Sequence, residues 1–344
     1  MNASFHAGAG VRLLAAAMLA QLVSLAPALA QDAVDAAAAK KEGKLVWYTS
    51  TPVAQAQKIA GAFEKETGIK VEVFRSGGSE VLRRFQSELD ARRIVADVMT
   101  TSDPAASALL AKKGVFVPFK PKNFDKIPDA AKDKDGNYIA QRLNIMTIYM
   151  RGDKVAEADR PRTWDDVTAP KYKGKLVMTD PSYTALQLTV VGMMSKARGW
   201  GYYEKLQKND VMIVRGNQQV SDNIKRGERV IAVGALDSYA AEDRAAGHNI
   251  VTVYPSDGTF IIPSPTAIIK GSPSPNAARL FAEFMIGDEA QKVFPADGGY
   301  AARADLAPPQ GSPPVSQIKV VPVDYEWLEG ASGQIKKRFN EIFQ

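Results

Sequence analysis

The chain has 344 residues, with 44 Lys and Arg against 38 Asp and Glu, a formal charge of +6, and no cysteine. A basic excess this small over so long a chain does not call for nucleic acid, and the lack of Cys excludes a disulfide-stapled scaffold and thiol chemistry. The fold must rest on an apolar core, which a chain of this length can build, usually by splitting into two lobes.

At the start, Arg12 is the only Lys or Arg in the first thirty residues, and an apolar run follows over residues 13–20. The run continues through Leu22 and Leu25 to Pro27-Ala28-Leu29-Ala30. A basic start, a short apolar stretch and an Ala-x-Ala ending predict a signal peptide over residues 1–30, cleaved after Ala30. Gln21, Ser24 and Pro27 interrupt the run, so a retained membrane anchor is disfavoured, and no later segment reaches transmembrane length. The expected product is an exported, soluble, periplasmic monomer.

Beyond the leader, strands and helices alternate. Leu45-Val46-Trp47-Tyr48 reads as a strand. Ala56, Ile59, Ala60 and Phe63 recur at helical spacing up to Gly68, a C-terminal stop. Val71 and Val73 mark a second strand, and Val81, Leu82, Phe85 and Leu89 mark a helix face. Val98-Met99 is a third strand, and Pro104 opens a helix ending near Gly114. The pattern recurs with Leu176-Val177-Met178, a helix from Thr184, Met212-Ile213-Val214, a helix near 220–226, Val230-Ile231-Ala232-Val233 and a helix from Ser238. Two such blocks predict an α/β protein of two lobes, each a mostly parallel central sheet flanked by helices. The β-prone stretches 141–149 and 261–269 are expected to cross between the lobes. Lobe 1 is placed at 31–142 with 263–305 returning to it, and lobe 2 at 143–262. Residues 276–294 supply two helices. After them comes a C-terminal linker and helix over 306–344, with a proline-rich linker at 307–314 and a basic helix at 327–343 whose Lys336-Lys337-Arg338 run reads as a solvated face.

The residues Lys44-Leu45-Val46-Trp47-Tyr48-Thr49-Ser50, the stretch Ala62-Phe63-Glu64-Lys65-Glu66-Thr67-Gly68-Ile69-Lys70-Val71-Glu72-Val73, Ala96-Asp97-Val98-Met99 with Ser102-Asp103, and Gly287-Asp288-Glu289-Ala290-Gln291-Lys292 carry a resemblance. The sequence resembles the extracellular solute-binding proteins of ABC importers, in the branch that contains ferric-ion and phosphonate receptors. The resemblance spans residues 40–305 and rests on scaffold residues, so it specifies the family better than the ligand. It implies a type 2 periplasmic-binding-protein fold, a small-molecule ligand in the interlobe cleft, delivery to a membrane permease, and no cofactor.

Loops that follow strands and precede helices should face that cleft. Five are read: Tyr48-Thr49-Ser50-Thr51-Pro52, Arg75-Ser76-Gly77-Gly78-Ser79, Thr101-Ser102-Asp103-Pro104, Asp180-Pro181-Ser182-Tyr183-Thr184 and Asp237-Ser238-Tyr239. Hydroxyls, glycines and free amides at helix starts suit an oxyanion, although Ser, Thr and Asp there are also ordinary N-caps. The candidate ligand contacts are Tyr48, Ser50, Thr51, Arg75, Ser76, Gly77, Gly78, Ser102, Asp103, Arg142, Ser182, Tyr183, Thr184, Asp237 and Tyr239. Arg142, at a crossover, could hold a carboxylate or phosphonate with its guanidinium, or pair with a hinge acid.

Two alternatives stand beside an anionic or zwitterionic organic solute. Ferric iron would use Tyr48, Tyr149 and Tyr239 with a bound anion. Yet the second-lobe loop carries one Tyr where ferric receptors commonly have adjacent tyrosines, Tyr202-Tyr203 falls in a helix, His6 lies in the leader and His248 in a turn. A secreted hydrolase has little support: there is no Gly-x-Ser-x-Gly elbow, and Asp180-Pro181-Ser182 is not a nucleophile motif. The sequence is read as a non-enzyme.

Overall fold

The computed structural model describes residues 34–344, together with Met1. The expected leader and His6 lie outside the described residues. Among those described, no helix is long and apolar enough to cross a membrane.

The described chain opens with α1 (Ala36–Glu42), whose first amides from Ala37 and Ala38 are taken by the Asp35 carboxylate. The first block follows as β1 (Lys44–Thr49), α2 (Val53–Thr67), β2 (Lys70–Arg75), α3 (Gly78–Asp90), β3 (Val98–Thr100), α4 (Pro104–Lys112) and the short β4 (Phe116–Val117). Gly68 ends α2 in the left-handed region at φ 75°, as its place after the last apolar position predicts. A long strand, β5 (Ile139–Arg151), leads to the second block. That block is β6 (Leu176–Thr179), α5 (Ala185–Arg198), α6 (Gly201–Lys208), β7 (Met212–Val214), α7 (Asn217–Arg226), β8 (Ile231–Leu236), α8 (Asp237–Ala245) and β9 (Ile250–Val253). The chain continues through β10 (Phe260–Ile269), α9 (Pro275–Met285), α10 (Asp288–Ala296), β11 (Tyr300–Ala301) and α11 (Tyr325–Phe343).

The strands join in the order β2-β1-β3-β10-β5-β8-β6-β7, with β4 on β10 and β9 and β11 on β5. Each block is parallel within itself, β1 beside β2 and β3, and β6 beside β7 and β8. The two central strands run antiparallel to each other and to their outer neighbours, so the whole is a mixed sheet. They are the two segments expected to cross between lobes. Pro263 and Pro265 lack the amide a ladder needs, and the β10–β5 register shifts between them. A second irregularity falls between Thr147 and Ile148 where β5 meets β8.

Both faces of the sheet are covered, and β5 is buried along nearly its whole length. One core gathers Trp47, Phe63, Phe281 and Phe284 with ring centroids 5.0–5.4 Å apart. In the second block the buried face of α11 (Leu328, Ile335, Phe339) lies on α5 and α6. A Cβ on Gly192 of α5 would stand 2.5 Å from Leu328 Cδ1, so these two helices meet at a glycine. The Lys336-Lys337-Arg338 run is largely on the surface, with Arg338 paired to Glu204 at 3.0 Å and Glu341 at 3.1 Å. Residues 307–314 form no regular element.

Candidate functional site

The site is built from helix beginnings. Five helices start at its wall: α2 after Pro52, α3 after Gly77, α5 after Thr184, α7 after Gly216 and α8 after Leu236. At none of these does the N-cap side chain take up the first amides. At α2, α3, α5 and α7 the N–H groups and the positive dipole ends are therefore available to whatever occupies the space between them, whereas at α8 the Asp237 carboxyl takes the Ser238 amide. The neighbouring α4 differs, because the Asp103 carboxylate accepts the Ala106 N–H at 3.0 Å and caps it.

These starts enclose a cavity of about 280 Å³, lined from both blocks. Three arginines reach it: Arg75 at the end of β2, Arg142 in β5 and Arg215 after β7, while none of the lining residues is an Asp or Glu. Arg75 is held by its Nε, which donates to the Thr51 carbonyl at 3.0 Å. The guanidinium carbon of Arg215 sits 4.4 Å from the Tyr183 ring centroid. Arg142 is the unusual one. It is 4% exposed, its Nε meets no hydrogen-bond acceptor, and among the described residues no carboxylate lies within ion-pair distance. Burial and neighbouring Arg75, opposed by Tyr239 and Asp237, bring its pKa down to about 10, so it stays charged at neutral pH. A buried cation without a counter-ion is costly, and an anion in the cavity would remove that cost.

The floor is a chain of hydroxyls. Ser50 and Ser102 line the cavity with their Oγ atoms 3.3 Å apart, Ser102 meets Ser264 of β10 at 2.8 Å, and Asn144 Nδ2 of β5 donates to Ser264 Oγ at 2.8 Å. The cavity is thus wired to both crossing strands. Across it, the Gly77 N–H donates to the Tyr183 hydroxyl at 3.0 Å, so the two blocks touch over the cavity. A Cβ on Gly77 would lie 2.6 Å from the Tyr183 carbonyl oxygen, so only glycine fits this approach.

Of the sequence candidates, Ser50, Arg75, Gly77, Gly78, Ser102, Arg142, Tyr183, Thr184 and Tyr239 line the cavity. The others do not, each for a local reason. Tyr48 is fully buried on the α3 side of the sheet, where its hydroxyl donates to Glu88 at 2.5 Å and accepts from Arg84 at 2.7 Å. Burial and Glu88 push its phenol up to about 12. Thr51 is buried behind the loop, bonded to Thr49 and to the Gln141 amide. Ser76 gives its amide to the Thr49 carbonyl and stays outside the lining. Asp103 is a helix cap. Ser182 is exposed, its N–H taken by Asp180 Oδ1 at 2.6 Å. Asp237 is buried at the start of α8, its carboxyl pushed up to about 8 by burial, with the Tyr254 hydroxyl 3.5 Å away.

The residues not anticipated are Arg215, Gly216 and Asn217, the turn between β7 and α7. A signal was present: this is a sixth strand-to-helix loop, with a glycine at the helix start.

The donor set suits hard metal ions poorly. Tyr149 is fully buried in an apolar cluster, its hydroxyl unpartnered and its pKa raised well above 10 by burial. Tyr239 lines the cavity, its phenol raised by burial although Arg75 and Arg142 oppose this. Among the described residues no three His, Cys, Asp or Glu side chains converge. His248 is exposed in a turn.

A family model, bacterial extracellular solute-binding protein, matches residues 58–317. A putative 2-aminoethylphosphonate-binding periplasmic protein of Salmonella typhimurium is 26% identical over 258 residues, covering 72% of this chain and 74% of its own length. Iron-bound HitA of Pseudomonas aeruginosa superposes with a TM-score of 0.75 at 20% identity, covering 88% of this chain and 99% of that one. The periplasmic binding protein AfuA of Actinobacillus pleuropneumoniae, with fructose-6-phosphate bound, has a TM-score of 0.75 at 21% identity over 87% of this chain and 97% of that one. The two-lobed α/β architecture is common to these solved structures and to this chain. With more than half its length matched by the family model, the chain belongs to the bacterial extracellular solute-binding proteins.

Proposed function

We propose that this protein is the periplasmic receptor of an ABC importer and that it closes on a small anionic or zwitterionic organic solute, phosphonate- or carboxylate-like. The lobes are taken as 31–142 with 263–305, and 143–262, with β5 and β10 as the hinge. The observation that carries the reading is Arg142, buried and without a counter-ion on the wall of a cavity that has three arginines and no carboxylate. A solute oxyanion supplies the missing charge, and the uncapped starts of α2, α3, α5 and α7 add amide donors. Closure brings the Gly77 amide onto Tyr183 and excludes water, which strengthens each of these contacts. No catalytic step is assigned to any residue. The Salmonella relative's phosphonate and AfuA's sugar phosphate are in keeping with an oxyanion at this place.

The iron in HitA makes ferric ion the competing cargo. Against it stand the charge of the lining and the burial of Tyr48 and Tyr149 away from the cavity. Calorimetry with 2-aminoethylphosphonate, a dicarboxylate and ferric citrate separates the two. The reading expects heat and thermal stabilisation from an anionic solute and a colourless protein after ferric loading. A visible tyrosinate-to-iron band with no response to either anion would overturn it.

A further inference from the structure

We propose that the cavity selects its solute by ionisation state, taking a doubly ionised tetrahedral oxyanion such as a phosphoryl group and rejecting monoanions of the same shape. This rests on the oxyanion reading and narrows it. The argument is one of charge and proton bookkeeping at the wall. Three guanidinium groups and four uncapped helix starts face the space, and no lining carboxylate offsets them. One negative charge leaves most of that field uncompensated, including part of the charge on the buried Arg142. A protonated P–OH would need a strong acceptor, and a carboxylate is the group that would serve; the wall has none.

The groups facing the bound oxyanion come from every element around it. They are Arg75 at the end of β2, Arg142 in β5, Tyr183 before α5, Arg215 after β7 and Tyr239 in α8. The Tyr239 phenol is a neutral donor, its pKa raised by burial. The nearby carboxyls do not reach the cavity: Asp237 is buried at the start of α8 and Asp103 is turned to the amides of α4.

Inorganic anions test this without a choice of solute body. Binding of sulfate, phosphate and methanesulfonate to the full chain in chloride-free buffer is measured by calorimetry and thermal shift between about pH 5.5 and about pH 8. Sulfate, doubly charged throughout, is expected to bind with the same affinity across the range. Phosphate is expected to gain about tenfold per pH unit up to its second ionisation and then level off. Methanesulfonate is expected at least about thirtyfold weaker than sulfate. Arg142→Met is expected to abolish the response to sulfate and phosphate alike. Methanesulfonate binding as tightly as sulfate, or phosphate affinity flat with pH, would overturn the selection by charge while leaving the oxyanion receptor in place. If none of the three stabilises the protein, the cavity is not an oxyanion site, and both the selection and the underlying reading fall.

Discussion

Replacing Arg142 by Met separates a binding group from a structural one, because the two roles predict opposite signs for stability. In this structure the guanidinium is 4% exposed with its Nε unpartnered. The fall of its pKa from 12.5 to about 10 corresponds to about 3 kcal/mol against the charged form. Met has a similar stem and no charge, so the unliganded variant should be more stable by about 1–3 kcal/mol, or about 2–6 °C in Tm. Ligand binding should move the other way. Losing a two-pronged charged contact to an oxyanion costs about 2–4 kcal/mol, a roughly 30- to 1000-fold rise in Kd. Wild-type protein at about 100 times Kd gains about 2.7 kcal/mol from its ligand, and the variant should lose nearly all of that gain. The assay is thermal denaturation with and without 2-aminoethylphosphonate. A variant that is less stable alone and keeps the full ligand-induced shift would refute the reasoning and make Arg142 a scaffold residue.

Other substitutions probe closure and the discarded candidates. Gly77→Ala puts a methyl 2.6 Å from the Tyr183 carbonyl oxygen across the cleft. It should weaken ligand binding by about 1–3 kcal/mol, because the close approach of Gly77 to Tyr183 is blocked. A large loss of unliganded stability with unaltered Kd would contradict this. Tyr149→Phe removes a buried hydroxyl that has no partner. Stability should be unchanged or higher by up to about 1 kcal/mol and ligand affinity unaltered; loss of metal binding in this variant would revive the tyrosinate reading. Asp237 carries a folded pKa of about 8 against an ordinary 3.8, so the folded protein holds an extra proton between these values. Stability from this group is therefore fully present only below about 3.8 and is lost progressively as pH rises to about 8, by an amount on the order of a few kcal/mol. Asp237→Asn should raise Tm more at about pH 9 than at about pH 5.5. An equal effect at both pH values would show that Asp237 is ionised throughout.

Much of this architecture is legible in the sequence, and the exceptions have causes. The alternation of short apolar runs with helical faces locates the strands and helices of both blocks. Gly68 and Thr184 stand where helices end and begin. The antiparallel direction of β5 and β10 is not written in residue types, because a strand covered on both faces loses the period-two pattern that reports its surroundings. The same loss explains Tyr48. Both it and Trp47 are fully buried, so nothing local tells which of them points away from the cleft. β9 escapes notice as four residues behind an exposed turn, and α1 as a helix with one buried alanine. Arg215 could have been found: its strand and its helix were both readable, and the glycine between them marks a helix start open to an anion.

The central claim is that an oxyanion completes the charge of Arg142 between the lobes. A crystal structure of the protein with 2-aminoethylphosphonate tests it most directly. The account predicts phosphonate oxygens within hydrogen-bond distance of the Arg142 guanidinium, with the Gly77–Tyr183 contact closed over them. A solute seated elsewhere, or a metal ion held by Tyr239 with no anion at Arg142, would contradict it.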